Sequence, residues 1–185
     1  LQKLGTDYVD LLLIHWPSPE DEVPMVDYLT ALKEVKAEGK ARNIGISNFT
    51  IAQVDEAVSI LGKGEILTNQ IEVHPFLQNR KLVDHCEQHG IQITAFMPLA
   101  VGKVMDDPTL KQIADAHNAT PAQIALAWVK QRNMITIPSS TKARNIQSNI
   151  AAFDLVLSDS EMTEIAKLDR KERIANSEIA PLWDE

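Results

Sequence analysis

The feature that most constrains this chain is a regular alternation of short apolar runs with amphipathic helical stretches. An apolar run without polar alternation is typical of a parallel strand that is buried on both faces. Strand and helix in regular succession predict right-handed crossovers, and therefore an α/β fold with a parallel sheet. The predicted strands are Tyr8–His15, Asn43–Phe49, Leu67–His74, Ile91–Leu99 and Met134–Ser140.

Residues that begin and end helices lie between these runs. A capping box pairs Ser or Thr with Glu or Gln three residues later, and it marks a helix start. An apolar stripe at helical spacing marks a helix, and a glycine just after the stripe marks where that helix ends. The capping boxes are Thr50 with Gln53, Thr120 with Gln123, and Ser158 with Glu161, and the stripe is Val26, Leu29, Leu32 and Val35 before Gly39.

Two closures suit such a parallel sheet, the open doubly wound sheet and the (β/α)8 barrel. The open sheet with a dinucleotide site needs a G-x-G-x-x-G turn, and the seven glycines of this chain contain no such cluster. The barrel is therefore favoured. Only five strand–helix units are recognisable, whereas a barrel has eight in about 250 residues. We predict one domain over residues 1–185, built as part of a (β/α)8 TIM barrel.

Composition excludes several function classes. Hydrophobic residues make up 44% of the 185 residues, which argues against disorder, and one cysteine cannot form an internal disulfide. The net charge of −8 disfavours nucleic acid and anionic membranes as partners. No apolar run is long enough to cross a bilayer. We expect a cytoplasmic enzyme or small-molecule binder.

Two histidines four residues apart, His85 and His89, resemble part of a metal site. A zinc site needs three or four ligands, and the sequence offers no partner motif for this pair. We therefore expect a helix end that faces solvent, and no metal.

Polar side chains recur where the predicted strands end. His15 closes the first run, Ser47 and Asn48 close the second, Gln70 lies in the third, and residues 139–142 follow the last. Each could simply bond the neighbouring backbone. Because the carboxyl ends of barrel strands meet at one face, a shared ligand site explains all of them together.

Five segments resemble the aldo-keto reductase family, in family order along almost the whole chain. Members of that family are (β/α)8 barrels that reduce carbonyl compounds with NADPH. The ending APLWD and the SSTK motif resemble most closely the bacterial 2,5-diketo-gluconate and methylglyoxal reductases. The five segments are LGTDYVDLLLIHWP at Leu4–Pro17, GKARNIGISNF at Gly39–Phe49, NQIEVHP at Asn69–Pro75, ITAFMPL at Ile93–Leu99 and IPSSTKARNIQSN at Ile137–Asn149.

The resemblance implies a role for particular residues. His15 matches the histidine that orients the substrate carbonyl, and Trp16 matches an aromatic residue that lines the substrate pocket. The C-terminal tail shapes specificity in this family, so its Trp183 either covers the pocket or packs on the surface. A trio of polar residues matches the group that holds the nicotinamide carboxamide, and Phe96 replaces a tyrosine that stacks on the ring. Leu99 lies in the stretch that passes the pyrophosphate. The trio is Ser47, Asn48 and Gln70.

The resemblance also places the 2′-phosphate and adenine of NADPH after the last strand. Lys142 and Arg144 lie near a hydroxyl-rich loop, which suits a phosphate. Asn149 matches an adenine-contacting asparagine. The loop hydroxyls are those of Ser139, Ser140 and Thr141.

The family's catalytic tyrosine, aspartate and lysine lie upstream of the histidine strand, and this sequence starts after them. By this comparison the chain corresponds to about the last five βα units with the C-terminal helix and tail. Three alternatives stay open. The chain is the C-terminal portion of a complete reductase, or an inactive nucleotide-binding or assembly protein, or a short subunit that self-association completes by covering the exposed sheet edges.

Overall fold

Strands and helices alternate along residues 1–184, the part of the chain that this computed structural model describes. All five predicted strands and all predicted helices are confirmed, with shifted ends. The strands are β1 (Val9–Ile14), β2 (Ala41–Ser47), β3 (Ile66–Glu72), β4 (Gln92–Phe96) and β5 (Ile135–Thr136). The α-helices are α1 (Met25–Ala37), α2 (Ile51–Leu61), α3 (Arg80–Gln88), α4 (Pro108–Ala116), α5 (Pro121–Gln131), α6 (Ala143–Ala151) and α7 (Asp159–Ala166).

The strands form a parallel sheet in the order β1-β2-β3-β4-β5, as expected for consecutive turns of a (β/α) barrel. The register places Ile14 beside Ile46 and Ser47 beside Gln70. The carboxyl ends of β1 and β2 therefore lie within one residue of each other, and β3 continues two residues past the level of Ser47.

The prediction that the strands are buried on both faces is wrong for both end strands, since neither residue of β5 is buried and Ile135 is 52% exposed. None of the six residues of β1 is buried, and Leu11 is 37% exposed. The physical reason is its place in the sheet, because β1 is an end strand with a neighbour on one side only. The guanidinium of Arg42 covers part of this edge, since it lies 4.1 Å from the ring centre of Tyr8 and 2.8 Å from a carboxylate oxygen of Asp10.

Gly45 in the middle of β2 marks a close approach of neighbouring strands. A Cβ atom built there would lie 2.6 Å from Leu13 Cδ2 and 2.8 Å from the backbone oxygen of Thr68. The backbone contact cannot be relieved by a rotamer change, so this position requires glycine.

The helix boundaries follow the predicted signals. All three capping boxes are present, with the side chains of Thr50, Thr120 and Ser158 each accepting from the N3 backbone N–H. The prediction is wrong for one residue of the apolar stripe on α1. Val26 is 51% exposed and Met25 is buried in its place.

The last strand is shorter than predicted. Of the run Met134–Ser140, only Ile135 and Thr136 pair as strand, opposite Thr94 and Ala95 of β4. Ile137 adds one further backbone bond to Ala95. Pro138 then has no N–H to donate, which ends the ladder.

The chain divides into two compact units. The first contains Leu1–Ile71, Arg80–Ile93 and the tail from Asn176, and the second contains Glu72–Asn79 and Thr94–Ala175. In the first unit, α1 and α3 pack against α2. In the second, α5 packs against α4 and α6, and Trp128 on α5 is buried. That the whole chain forms one domain stays a prediction.

Among the described residues, no helix has both the length and the apolar character to cross a membrane. The longest, α1, has 13 residues, whereas a spanning helix needs about 20.

Candidate active site

Three of the predicted cofactor residues meet where β2 and β3 of the first unit end. Ser47 is the last residue of β2 and pairs with Gln70 on β3, while Asn48 follows directly. Ser47 is fully buried, Asn48 is 2% exposed, and Gln70 is half-buried. The parallel register therefore brings the predicted trio together.

A network of hydrogen bonds holds these three residues in place. The Ser47 hydroxyl donates to the backbone oxygen of Gln70 at 2.7 Å, and the Asn48 backbone N–H donates to the same oxygen at 3.0 Å. The Asn48 side-chain nitrogen donates to the backbone oxygen of His15 at 2.9 Å and to Ser47 Oγ at 3.1 Å. Asn48 has a left-handed φ of 64°, which asparagine tolerates better than most residues. Its side chain thus ties the end of β1 to the end of β2.

One atom of the Asn48 side chain has no hydrogen-bond partner among the described residues. Its Oδ1 atom is buried and accepts no hydrogen bond from any residue in 1–184. A buried acceptor without a donor costs free energy. Asn69 Oδ1 and Thr136 Oγ1 are unpaired in the same way, so it is the position of Asn48 beside Ser47 and Gln70 that makes its Oδ1 a candidate ligand contact. A carboxamide NH2 is a matching donor, and the trio therefore fits a nicotinamide.

His15 and two tryptophans lie together in the same unit. The His15 and Trp16 ring centres are 6.3 Å apart, and Trp183 meets Trp16 edge-on at 6.1 Å. Trp183 Nε1 donates to Asn176 Oδ1 at 3.1 Å. His15 is exposed, whereas both tryptophans are half-buried. The structure brings these three predicted site residues together as one aromatic group.

Asp184 is a residue that the sequence analysis missed. Its carboxylate accepts from the backbone N–H of Ile51 at 2.7 Å, at the first turn of α2. A carboxylate at a helix N-terminus is electrostatically favourable, and this bond anchors the tail that carries Trp183. No local pattern signals it, because 133 residues separate the two partners.

In the second unit, four predicted cofactor residues share one pocket of about 320 Å³. They come from the loop after β4, the loop after β5 and helix α6. Thr120 and Ala122 at the start of α5 contribute to its wall. The four residues are Leu99, Ser139, Ser140 and Asn149.

The remaining predicted residues of this unit lie outside that pocket. Phe96 is half-buried at the end of β4. Thr141, Lys142 and Arg144 are exposed around the first turn of α6, where Lys142 is the N-cap. Within residues 1–184, neither Lys142 nor Arg144 forms an ion pair, so both cations are available to an anion.

Comparison with known proteins decides the family. The sequence profile of the aldo/keto reductase family matches residues 1–170. The chain belongs to the aldo/keto reductase family. It is thus an oxidoreductase sequence, and its parallel sheet is part of the (β/α)8 fold of that family.

Individual relatives agree with this family assignment. Methylglyoxal reductase DkgB from Yersinia pestis is 51% identical over 185 residues, which are all of this chain and 69% of that protein. Glyoxal reductase from Bacillus subtilis (strain 168) is 40% identical over 176 residues, or 94% of this chain and 62% of that protein. A crystal structure assigned to 2,5-diketo-D-gluconic acid reductase B superposes with a TM-score of 0.95 at 41% identity, covering 100% of this chain and 66% of the other. The chain thus spans about two thirds of its relatives' length.

A buried carboxylate of this aldo/keto reductase has a structural role that the sequence did not reveal. Both Glu72 and His74 have fully buried side chains in the second unit. His74 Nδ1 accepts from the backbone N–H of Phe76, so Nε2 carries the proton and donates to Glu72 at 2.9 Å. The backbone N–H groups of Ile174 and Ala175 each donate to Glu72 at 2.8 Å. Burial opposes ionisation, but these bonds outweigh it and hold the pKa of Glu72 below its usual range.

Neither tyrosine of the described chain belongs to the trio's surroundings. Tyr8 lies beneath the Arg42 guanidinium at the sheet edge. Tyr28 is on α1, where burial raises the pKa of its hydroxyl and the nearby Asp21 and Glu56 charges add to that effect. Both placements agree with the interpretation that neither is the catalytic tyrosine of the family.

Proposed function

We propose that this aldo/keto reductase acts in NADPH-dependent reduction of small aldehydes and ketones, such as 2-oxoaldehydes or oxidised sugars, to alcohols. The observation that carries the proposal is the buried, unpaired Oδ1 of Asn48, beside Ser47 and Gln70. An amide acceptor held rigidly by its own nitrogen suits a ligand that presents an amide NH2. A reduced nicotinamide, when bound, supplies the hydride that reaches the carbonyl carbon.

The residues of the first unit would bind and orient the reactants. Ser47, Asn48 and Gln70 would hold the carboxamide, which fixes the ring plane. The exposed His15 imidazole would hydrogen-bond the substrate carbonyl oxygen and stabilise the negative charge that develops on it. The packed rings of Trp16 and Trp183 would exclude water from one side of the substrate.

The residues of the second unit would hold the nucleotide. The pocket of about 320 Å³ offers Asn149 and the hydroxyls of Ser139 and Ser140 to an adenosine. Leu99 would border the pyrophosphate and Phe96 would stack on the nicotinamide. Lys142 and Arg144, beside Thr141 and at the positive end of α6, suit the 2′-phosphate that distinguishes NADPH from NADH.

The substrate class is supported by the names of relatives, which are named for methylglyoxal, glyoxal and 2,5-diketo-D-gluconic acid. The cavity of about 670 Å³ in the first unit lies between the loop that follows Trp16, the start of α2 and the tail, and its lining contains none of the residues proposed to bind substrate or cofactor.

Replacing Asn48 tests the proposal against a closely matched control. Asn43, on the strand that precedes Asn48, also donates its side-chain amide to a β1 carbonyl, that of Asp10 at 3.1 Å. We expect Asn48→Ala to weaken NADPH binding about tenfold or more, and Asn43→Ala to leave it unchanged. Fluorescence titration of the natural protein with NADPH measures both. Equal affinities for the two variants would contradict the assignment of Asn48.

A further inference from the structure

Asp55 and two histidines form a cluster in the first unit, outside every residue assigned to reduction. Asp55 lies on α2, His85 is in the last turn of α3, and His89 follows that helix by one residue. Within residues 1–184 this is the one group of three potential metal ligands whose donor atoms all lie within 4.8 Å of one another. The sequence showed the histidine pair but not its third partner, because packing of α2 against α3 supplies it.

The geometry is close to that of a coordination shell. Asp55 Oδ1 lies 2.8 Å from His85 Nε2 and 3.2 Å from His89 Nε2. Two ligands about 2.0 Å from a tetrahedral zinc ion are about 3.3 Å apart, so little movement would bring all three atoms around one ion. The His89 backbone N–H donates to the His85 oxygen at 3.3 Å, which keeps the two imidazoles on the same side of the helix.

The chemistry of the ligands selects the class of metal. Two imidazole nitrogens with one carboxylate suit zinc and its neighbours in the first transition row, and not the oxygen-preferring Mg²⁺ or Ca²⁺. The side chains of His85 and His89 are 21% and 28% exposed, so an ion can enter from solvent. Cys86 lies between them in sequence but is fully buried, its sulfur accepts from the Asn69 side chain at 3.8 Å, and it is not part of the cluster.

We propose that His85, His89 and Asp55 bind one divalent late transition metal ion, with zinc as the best-suited ion and solvent as the fourth ligand. The ion would link α2 to the end of α3, and it would replace the Asp55–His85 hydrogen bond and the 3.2 Å contact between Asp55 and His89 that link them in its absence. The proposal is independent of carbonyl reduction, since none of its ligands belongs to the proposed active site. It replaces the expectation that the histidine pair binds no metal.

Another histidine–carboxylate pair provides a matched control. His117 Nε2 lies 2.8 Å from Glu161 Oε1, and its side chain is 23% exposed, yet it has no second histidine beside it. If His85 and His89 form only hydrogen bonds, replacing them should change zinc binding no more than replacing His117 does. If they bind a metal ion, replacing them should weaken zinc binding.

The test is calorimetric titration of the natural protein with zinc chloride. We expect one zinc ion per chain, at least about tenfold weaker binding in His85→Asn and His89→Asn, and unchanged binding in His117→Asn. Zinc should also raise the melting temperature of the wild type and of His117→Asn, but not of a His85→Asn/His89→Asn variant. Zinc binding that is equal in the wild type and this double variant would overturn the proposal.

Cobalt substitution provides a second measurement that needs no variant. Co²⁺ bound by nitrogen and oxygen ligands shows visible bands without a thiolate charge-transfer band. That spectrum is the expected result. A thiolate-to-cobalt band would place the ion on a cysteine and contradict the assignment.

Discussion

At the residue scale, the proposed chemistry depends on the exposed imidazole of His15 and on the amide of Asn48 behind it. Asn48 donates to the His15 backbone oxygen at 2.9 Å, so the same side chain that offers an acceptor to the cofactor also positions the histidine. Because of this coupling, loss of Asn48 should weaken binding of the cofactor and also lower turnover. Loss of the imidazole should affect turnover alone.

Replacing the imidazole of His15 should separate turnover from cofactor binding. We expect His15→Asn to lower kcat for a carbonyl substrate about 10²–10³-fold, because it removes the donor to the developing oxyanion. NADPH affinity should change little. Steady-state kinetics and fluorescence titration on the same preparation measure the two quantities. A variant that loses NADPH binding in proportion to turnover would show that His15 belongs to the cofactor site instead.

Removing the two cations near the start of α6 should change the preference between nucleotides. Lys142→Ala/Arg144→Ala should weaken NADPH binding about tenfold or more and leave NADH binding unchanged, because only NADPH carries the 2′-phosphate. Titration with each nucleotide measures this, and NADH serves as the control. Equal losses for both nucleotides would contradict the placement of the phosphate.

The sequence predicted which residues gather at the strand ends better than it predicted their contacts. The trio meets because parallel register is fixed by the strands themselves, and strands are recognisable from apolar runs. The bond from Asp184 to Ile51 and the approach of Asp55 to His85 were not predictable, because each depends on the packing of segments that are distant in sequence. The unpaired Oδ1 of Asn48 is likewise visible only in three dimensions.

At the scale of single elements, the sequence predicted helix starts correctly where the two interacting residues lie close together in the chain. The capping boxes at Thr50, Thr120 and Ser158 formed as predicted, since both partners lie within one turn. Predictions that depended on neighbouring elements were weaker. Burial of β1 was wrong because the strand lies at an edge, and Val26 was placed on the wrong face of α1.

The end of β3 carries a carboxylate that should make stability depend on pH. The pKa of Glu72 is lowered in the folded protein, so the unfolded chain takes up the proton first as the pH falls. The stabilisation is therefore complete well above the ordinary glutamate pKa of about 4.3 and is lost as the pH falls from there toward the lowered folded value.

Glu72→Gln tests this assignment. The variant should be less stable than the wild type by about 1–3 kcal/mol at pH 7, because an uncharged amide cannot satisfy three donors as a carboxylate does. The difference should shrink in acid. Urea unfolding at pH 7 and at pH 4 measures it. A difference that is the same at both pH values would show that the Glu72 charge does not stabilise the fold.

At the scale of the whole molecule, the alternation of strand and helix was enough to predict a parallel sheet of the (β/α)8 type. The family resemblance is confirmed by the profile match over residues 1–170. Self-association through the sheet edges and a cytoplasmic location stay predictions. So does the choice between an active reductase and a nucleotide-binding protein without turnover, because both would retain the trio around Asn48.

Deuteride transfer separates these two functions most directly. The natural protein would be incubated with methylglyoxal and NADPH deuterated at the transferable C4 position, and the alcohol product would be examined by mass spectrometry and NMR. We predict one deuterium per product molecule, on the former carbonyl carbon, with one NADPH oxidised for each alcohol formed. NADPH binding without deuterium transfer to methylglyoxal or to 2,5-diketo-gluconate would contradict the proposed reductase activity and leave a binding function for the same site.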